Sequence, residues 1–463
     1  MDGMPSALAI TSRLDAFRHG FIEVLFELCS TYGADVGEPD MHRPLGSATM
    51  LYADDLFAEV DSPPGGDATS LIEMILSFNE FGSSTAFTVE DGIPYYVNEF
   101  WTSGQRKGHS VHEISYRACF KSQLPEFFIR RLTGLGDSVL DPFMGRGTTP
   151  VEAHLLGRTP VGNDINPLSV LLTRPRLNVP TYQEVQLALD AVEWDRPVAV
   201  REDLLAFYHR TTLQGLAALR EHLLEVAPLD MTTPDRAVDW IRMVAINRLT
   251  GHSAGFFSVY SLPPNQAVTV ERQLRINEKR NQVPPFRDIR SIILKKTRSL
   301  LRSGTPRVER NASLSVGPAS KLEMVPNASV ALTITSPPFL DVVQYADDNW
   351  LRCWFAGIDS ASVPISMHRT EAAWEEMVRK VLIEQARVVR PGGHIAFEVG
   401  EVRNGRVLLE KAVWRAAEGL PFERLCVMIN QQEFTKTANC WGVGNNAKGT
   451  NTNRIVLLRR LRD

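Results

Sequence analysis

The sequence has 463 residues, 44 % of them hydrophobic, and a formal net charge of -4. That length and apolar content support a sizeable core, with one main domain and one or two smaller units. The charge balance gives no global argument for a polyanionic partner and leaves that question to local distribution.

Five cysteines, Cys29, Cys119, Cys353, Cys426 and Cys440, form no CxxC pair. An odd, scattered set argues against a disulfide framework and a structural zinc site, and for a reducing cytoplasm. The sequence shows no signal-peptide pattern and no apolar stretch long enough to span a bilayer.

In chain order, residues 17–28 read as a helix with Phe17, Phe21, Val24, Leu25 and Leu28 on one face. Residues 51–60 continue a small N-terminal unit, and 61–67 (DSPPGGD) form a turn or linker. A further helix is expected over 69–78 and short strands over 83–99. A packing or cap unit is the simple reading of this region, with partner contact or assembly as the alternative. Residues 102–110 (TSGQRKGHS) are polar, with Arg106 and Lys107 expected at the surface. After them, 124–132 read as an amphipathic helix that tolerates Pro125 in its first turn.

The chain is organised around residues 140–149, LDPFMGRGTT. Val139 and Leu140 suit the end of a buried parallel strand. Gly145 and Gly147 let the chain turn tightly and approach a ligand with bare backbone. A helix starts at Thr148, and its free N–H groups lie near the turn. This pattern suits a small-molecule cradle at the carboxyl edge of an α/β sheet, with a purely structural turn as the alternative. The next strand, 159–166 (TPVGNDIN), places Asp164 where an acid accepts from a ribose. No Gly-Lys-Thr or Gly-Lys-Ser follows the turn, so a nucleoside-containing cofactor fits and a phosphate loop does not.

About 150 residues then pass before the next strand signal, far more than a crossover needs. The excess reads as an inserted, largely helical domain: 181–226 with a break near 194–197, then 235–248. Residues 250–264 are rich in turns and aromatics. Residues 270–310 hold 12 Lys or Arg against 4 Asp or Glu. Arg272, Arg275, Lys279, Arg280, Lys295, Lys296 and Arg298 are the basic residues expected to hold phosphates. Asn265, Gln266, Asn277 and Gln282 are candidates for base-edge or phosphate hydrogen bonds. A merely solvated face is the alternative.

A third strand and its exit turn are expected over 312–319, and a fourth strand over 330–334 leads into Thr335-Ser336-Pro337-Pro338-Phe339. Val342, Tyr345 and Trp350 continue an aromatic-rich edge. A helix over 374–389 ends at Arg390, and Pro391-Gly392-Gly393 turns the chain into strand 394–399. Another helix is expected over 407–417, and late strands over 422–429 and 455–458. Between those strands, 431–453 is longer than a turn needs. Lys436, Trp441 and Lys448 make it a candidate substrate-facing loop, against a decorated surface loop as the alternative.

DPFMGRGTT, GNDIN and TSPPF together resemble the cofactor loop, ribose acid and catalytic loop of amino-group (N4-cytosine/N6-adenine) DNA methyltransferases. The serine form of the catalytic loop is most similar to N4-cytosine members. The resemblance implies an α/β, Rossmann-like S-adenosylmethionine-dependent methyltransferase fold with a largely helical insertion and a small N-terminal region. It implies an accessory region over 1–108, a cofactor-binding half over 109–180, a target-recognition insertion over 181–311 and a catalytic half over 312–463.

The cofactor implied is S-adenosylmethionine, without a metal. Tyr116, Phe120, Lys121, Asp141, Pro142, Phe143, Gly145, Gly147, Thr148 and Asp164 would bind it. Relatives often carry an acid near the cofactor's adenine, where this chain has Pro318, so backbone groups or Ser320 would serve instead. Ser336, Pro337, Pro338 and Phe339 would be catalytic. Ser336 and the Pro337 carbonyl would accept from the target amine, and Phe339 would stack on a flipped base. The partner implied is double-stranded DNA, and a cognate restriction endonuclease stays open. The absence of a Pro-Cys pair in the loop argues against C5 chemistry. N6-adenine methylation, an RNA acceptor and a non-catalytic DNA-binding subunit with a relic cofactor fold are the alternatives.

Overall fold

The computed structural model describes residues 68–102, 108–117, 119–261, 267–304, 311–340, 345–364, 368–402, 407–431 and 452–462. The expected helix at 17–28, the 51–67 segment, Arg106, Lys107, Asn265, Gln266, Val342, Lys436, Trp441 and Lys448 lie outside them.

Helix α1 (Ala68–Leu76) precedes the hairpin β1 (Ala86–Glu90) and β2 (Ile93–Asn98). Then come α2 (Gln123–Leu132), β3 (Ser138–Asp141), α3 (Thr148–Leu155), β4 (Thr159–Asp164) and α4 (Leu168–Leu177). The insertion supplies α5 (Tyr182–Asp190), α6 (Arg210–Val226), α7 (Arg236–Ile246), α8 (Val270–Arg280) and α9 (Ile289–Leu300). The second half runs β5 (Ser313–Val316), β6 (Val330–Thr335), α10 (Tyr345–Ala356), α11 (Glu371–Val388) and β7 (Val389–Val399). It ends with the short pair β8 (Glu401–Val402) and β9 (Val407–Leu408), then α12 (Leu409–Ala416), β10 (Phe422–Gln431) and β11 (Thr452–Arg460).

Among the described residues, nine strands form one sheet in the order β1-β2-β10-β11-β7-β6-β3-β4-β5. Strands β5, β4, β3, β6 and β7 are parallel, and β11 runs antiparallel between β7 and β10. The result is a mixed α/β fold, a largely parallel sheet with additional helices. Its edge continues into β2, which pairs with β10, so residues 86–98 extend the same sheet.

Period-2 alternation divides the strands between two apolar faces. Leu140, Ile395, Phe397 and Val427 pack with α11 and α12 on one side. Val139, Ala396, Cys426 and Met428 pack with α1 and α2 on the other. A third core joins the insertion helices to α4 and α10, and includes Val111, Ile114 and Tyr116. The insertion thus shares a core with the segment that leads to the glycine turn.

Caps explain several helix starts. Thr181 and Glu184 form a capping box on α5, and Asp235 and Asp288 cap α7 and α9 through their side chains. Pro391-Gly392-Gly393 differs from expectation. The strand begins earlier: Val389 pairs with Val330, and regular pairing resumes at His394 with Leu332. The three residues form a bulge inside β7, which the missing Pro N–H and the positive φ of Gly392 permit.

Candidate functional site

Residues between β3 and α3 form the glycine turn. Gly145 and Gly147 have φ of 50° and 75°, in the left-handed region that favours glycine. At Gly147 the demand is also steric, because a Cβ would lie 2.1 Å from Thr173 Oγ1. The Gly145 amide donates to Asp164 Oδ2 at 2.8 Å, and the Asn166 amide donates to Oδ1 at 2.9 Å. Asp164 therefore braces the glycine turn from the end of β4. Each oxygen keeps a second lone pair for another donor. Burial raises the Asp164 pKa against the pull of those amides.

The segment Thr335-Ser336-Pro337-Pro338-Phe339 starts at the end of β6, which pairs with β3, the strand that leads into the glycine turn. The Thr335 hydroxyl donates to Asp141 Oδ1 at 2.7 Å, joining the two loops across 194 residues of sequence. Burial pushes Asp141 up to about 7, opposed by Thr335 and the Phe143 amide. Ser336 donates its hydroxyl proton to Glu398 Oε2. The Pro338 carbonyl accepts from the buried Trp374 indole at 2.8 Å. Phe339 packs where Gly400 leaves room, since a Cβ there would lie 2.9 Å from Phe339 Cε2. The loop is thus held by α11, by β7 and by the proline rings, which fix φ.

Arg146, inside the glycine turn, was not singled out by the sequence pattern. Its guanidinium donates to the Ile114 and Phe120 carbonyls at 2.9 and 3.2 Å and to Thr148 Oγ1 at 3.1 Å. It latches the preceding segment onto the turn. From the far side the Arg352 guanidinium lies 5.6 Å from the Tyr116 ring centre, and Arg117 pairs with Asp348 at 2.7 Å. Helix α10, which follows residues 335–339 in the chain, thereby holds the same segment.

These pieces surround a cavity of about 360 Å³. Of the expected cofactor residues, Tyr116, Phe120, Asp141, Pro142, Phe143, Gly145, Thr148 and Asp164 line it, and so do Ser336 and Pro338. Gly147 shapes the turn from behind. Lys121, Pro337 and Phe339 are not among the lining residues. Burial and the neighbouring Arg146 charge lower the Lys121 pKa. Pro318, Ala319 and Ser320, just after β5, also line the cavity. His368, Glu376, Met377 and Lys380 close a side that sequence reading missed. Glu376, Met377 and Lys380 lie on α11, whose ordinary amphipathic pattern gives no local signal for its cavity-facing residues, and His368 lies just before that helix.

The basic insertion is heterogeneous. Arg272, Arg275, Lys279, Arg280, Lys295 and Arg298 are exposed. Arg280 stacks 3.7 Å from the Tyr260 ring centre, and Arg298 donates to the Tyr182 hydroxyl at 3.1 Å. Lys296 differs: its side chain is 13 % exposed and faces Glu113 at 4.0 Å. Burial pushes its pKa down to about 8, with Arg248 adding to the effect. The Asn277 side chain and the Gln282 Nε2 are engaged within the insertion. Asn277 Oδ1 accepts from both Gln273 and Gln282, its Nδ2 donates to the Ala206 carbonyl, and Gln282 also donates to the Tyr260 carbonyl. Trp350 also departs from the expected edge: it packs against Phe207 and donates to the Val268 carbonyl. The described cysteines Cys119, Cys353 and Cys426 are free thiols. No helix among the described residues is long and apolar enough to cross a membrane.

Known proteins offer matches to part of the chain. The N6/N4 methyltransferase family model, described as DNA methylase, matches residues 89–172. That stretch contains the glycine turn and Asp164 and does not include residues 335–339. Type II methyltransferase M.MjaII of Methanocaldococcus jannaschii is 36 % identical over 81 residues, which are 18 % of this chain and 15 % of that protein. Type II methyltransferase M.BsoBI of Geobacillus stearothermophilus is 38 % identical over 114 residues, 24 % of this chain and 22 % of that protein. The matches thus span less than a quarter of these relatives. The structure of TrmN from Thermus thermophilus aligns with 76 % of this chain and 52 % of that one, at 12 % identity and a TM-score of 0.29. Residues 89–172 therefore match the DNA methylase family model, and the chain is similar in part to type II methyltransferases.

Proposed function

We propose that the protein methylates the exocyclic N4 amine of cytosine in double-stranded DNA, with S-adenosylmethionine as donor and no metal ion. The observation that carries this reading is the sharing of one cavity by the glycine turn, Asp164, Ser336 and Pro338. The cavity's residues fit the donor. Gly145 offers bare backbone, Asp164 has lone pairs for a ribose, and Tyr116 and Phe120 give an apolar wall for the methionine part. When bound, S-adenosylmethionine supplies an electrophilic methyl group on a sulfonium.

The chain's own residues would do the rest. A cytosine amine is a weak nucleophile because its lone pair is shared with the ring. Ser336 Oγ and the Pro337 carbonyl would accept from its hydrogens and return that pair to nitrogen. Pro337 and Pro338 keep these acceptors in place, so little ordering remains during the reaction. A base in a duplex must be flipped out to reach the loop, and stacking on Phe339 would offset part of that cost. The insertion at 181–311 would recognise the target, and the exposed basic residues of α8 and α9 would contact phosphates. A cognate restriction endonuclease belongs to the same proposal as a separate partner.

The second reading is N6 of adenine, favoured by the N6/N4 scope of the matching family. Nucleoside mass spectrometry of a mixed-sequence plasmid after incubation decides between them. N4-methylcytosine is expected. N6-methyladenine alone would overturn the base assignment, and no methylated nucleoside, under conditions where the donor binds, would overturn DNA methylation.

A further inference from the structure

We propose that Glu398 positions Ser336 and is the final acceptor of the proton released from the target amine; this rests on the amine-methylation reading above. Glu398 stands near the end of β7 and is 7 % exposed. Strand β7 lies between β6 and β11 in the sheet. The carboxylate is held from both neighbours. Ser336, just past β6, donates to Oε2, and Asn453 of β11 donates to Oε1 at 2.9 Å. No charged group among the described residues pairs with Glu398. The nearby Arg454 is taken by Glu410 at 2.7 Å.

This geometry determines what Ser336 can do. A hydroxyl has one proton and two lone pairs. With the proton given to Glu398, Ser336 can offer a third partner only an acceptor. Toward a target amine that is the useful polarity, because an acceptor draws the amine lone pair back to nitrogen. A free serine would be as ready to donate. An uncompensated buried carboxylate is costly, and two neutral donors compensate it only in part. Burial accordingly raises the Glu398 pKa, against the pull of Ser336 and Asn453. A raised carboxylate is a better base than an ordinary surface one.

The step balances. The nitrogen–carbon bond forms as the donor's carbon–sulfur bond breaks, and that electron pair stays on sulfur. The nitrogen sheds one proton to Ser336 Oγ as the Ser336 hydroxyl proton moves to Glu398 Oε2. The sulfonium charge and the carboxylate charge disappear together, so no net charge is left in the cavity.

Glu398→Gln keeps the size and can still bond both neighbours if the Asn453 amide turns over. With the full chain and duplex DNA, E398Q should lower the single-turnover rate by about 100-fold, within the range for general base catalysis. The KM for DNA and the calorimetric affinity for S-adenosylmethionine should stay as in wild type. The wild-type rate should rise with pH through the titration of Glu398, and E398Q should lose that limb. Glu398→Asp should restore part of the rate and the limb.

A rate for E398Q within about threefold of wild type would overturn the proposal. So would a slowed E398Q that keeps the wild-type pH limb. The donor-free protein gives an independent reading. A raised folded pKa means stability is fully present at low pH and is lost as pH rises through the folded value. Wild type should therefore lose stability relative to E398Q as pH rises; parallel curves would overturn the proton-holding role. Absence of methylation by wild type would sink the functional reading, and the stability curves would still decide the Glu398 titration.

Discussion

At the cavity, side chains from distant parts of the chain hold one another, whereas on α8 and α9 most basic side chains project into solvent. Thr335 reaches Asp141, Ser336 reaches Glu398 and Asp164 holds the Gly145 amide. Three carboxylates, Asp141, Asp164 and Glu398, are raised by burial. On α8 and α9, Arg272, Arg275, Lys279 and Lys295 are exposed and make no ion pair among the described residues. The first region is a locked arrangement in which one change propagates. The second is a loose charge distribution, in which single changes should add nearly independently.

The largest expected effect tests the lock. Asp141 has an ordinary value of 3.8 and sits at about 7 in the folded protein because it is buried. Its raised value contributes stability that is present at acid pH and lost as pH rises between those values. Denaturant unfolding across that window should show wild type losing on the order of 2–4 kcal/mol relative to Asp141→Asn. Two parallel stability curves would mean that the loops are not joined through a buried carboxylate.

Ser336→Ala comes next. Under the proposed function it would remove the acceptor at the reacting nitrogen and leave the aromatic wall of the cavity intact. Turnover should fall by about 100-fold or more, while calorimetric affinity for S-adenosylmethionine changes little. Equal losses in turnover and affinity would instead make Ser336 part of the donor site.

Asp164→Ala should follow, at about 10-fold to 100-fold weaker binding of S-adenosylmethionine, since it removes both a hydrogen-bond acceptor and the brace on the Gly145 turn. Asp164→Asn separates the two roles. It keeps one acceptor oxygen and so should hold the turn better than alanine does. Equal calorimetric affinity for wild type and D164A would remove Asp164 from the donor site.

The locked region was the more legible one, for physical reasons. Gly145 and Gly147 mark positive φ, Val139 and Leu140 mark a buried strand end, and both signals are local. The sheet's central strands also follow from their apolar runs. What local pattern could not give were partners far along the chain. Glu398 sits in an apolar strand run, Trp374 looks like any helix core residue, and Arg146 hides inside the glycine turn. Their roles arise only when the sheet brings β6, β7 and β3 together. On the insertion the sequence gives charge without direction. Asn277 and Gln282 read as polar candidates, but their amides close hydrogen bonds within the insertion.

Lys295 and Lys296 put the contrast between locked and loose residues into two adjacent positions. They are neighbours on α9, so they point to different faces of the helix. Lys295 is exposed. Lys296 is mostly covered and faces Glu113, and burial lowers its pKa to about 8. If α9 contacts duplex phosphates, Lys295→Ala should release one contact. It should lower affinity a fewfold and reduce the slope of log affinity against log salt by roughly 0.9. Lys296→Ala should leave that slope nearly unchanged, because its ammonium lies between α9 and the segment before the glycine turn. Its effect should appear instead in the thermal midpoint, through lost packing of its long stem. A salt titration of wild type and both variants, with melting curves on the same samples, separates the two. An unchanged slope for Lys295→Ala would make that face of α9 a solvated surface. A slope change for Lys296→Ala alone would move the phosphate contact inward, to the junction with Glu113.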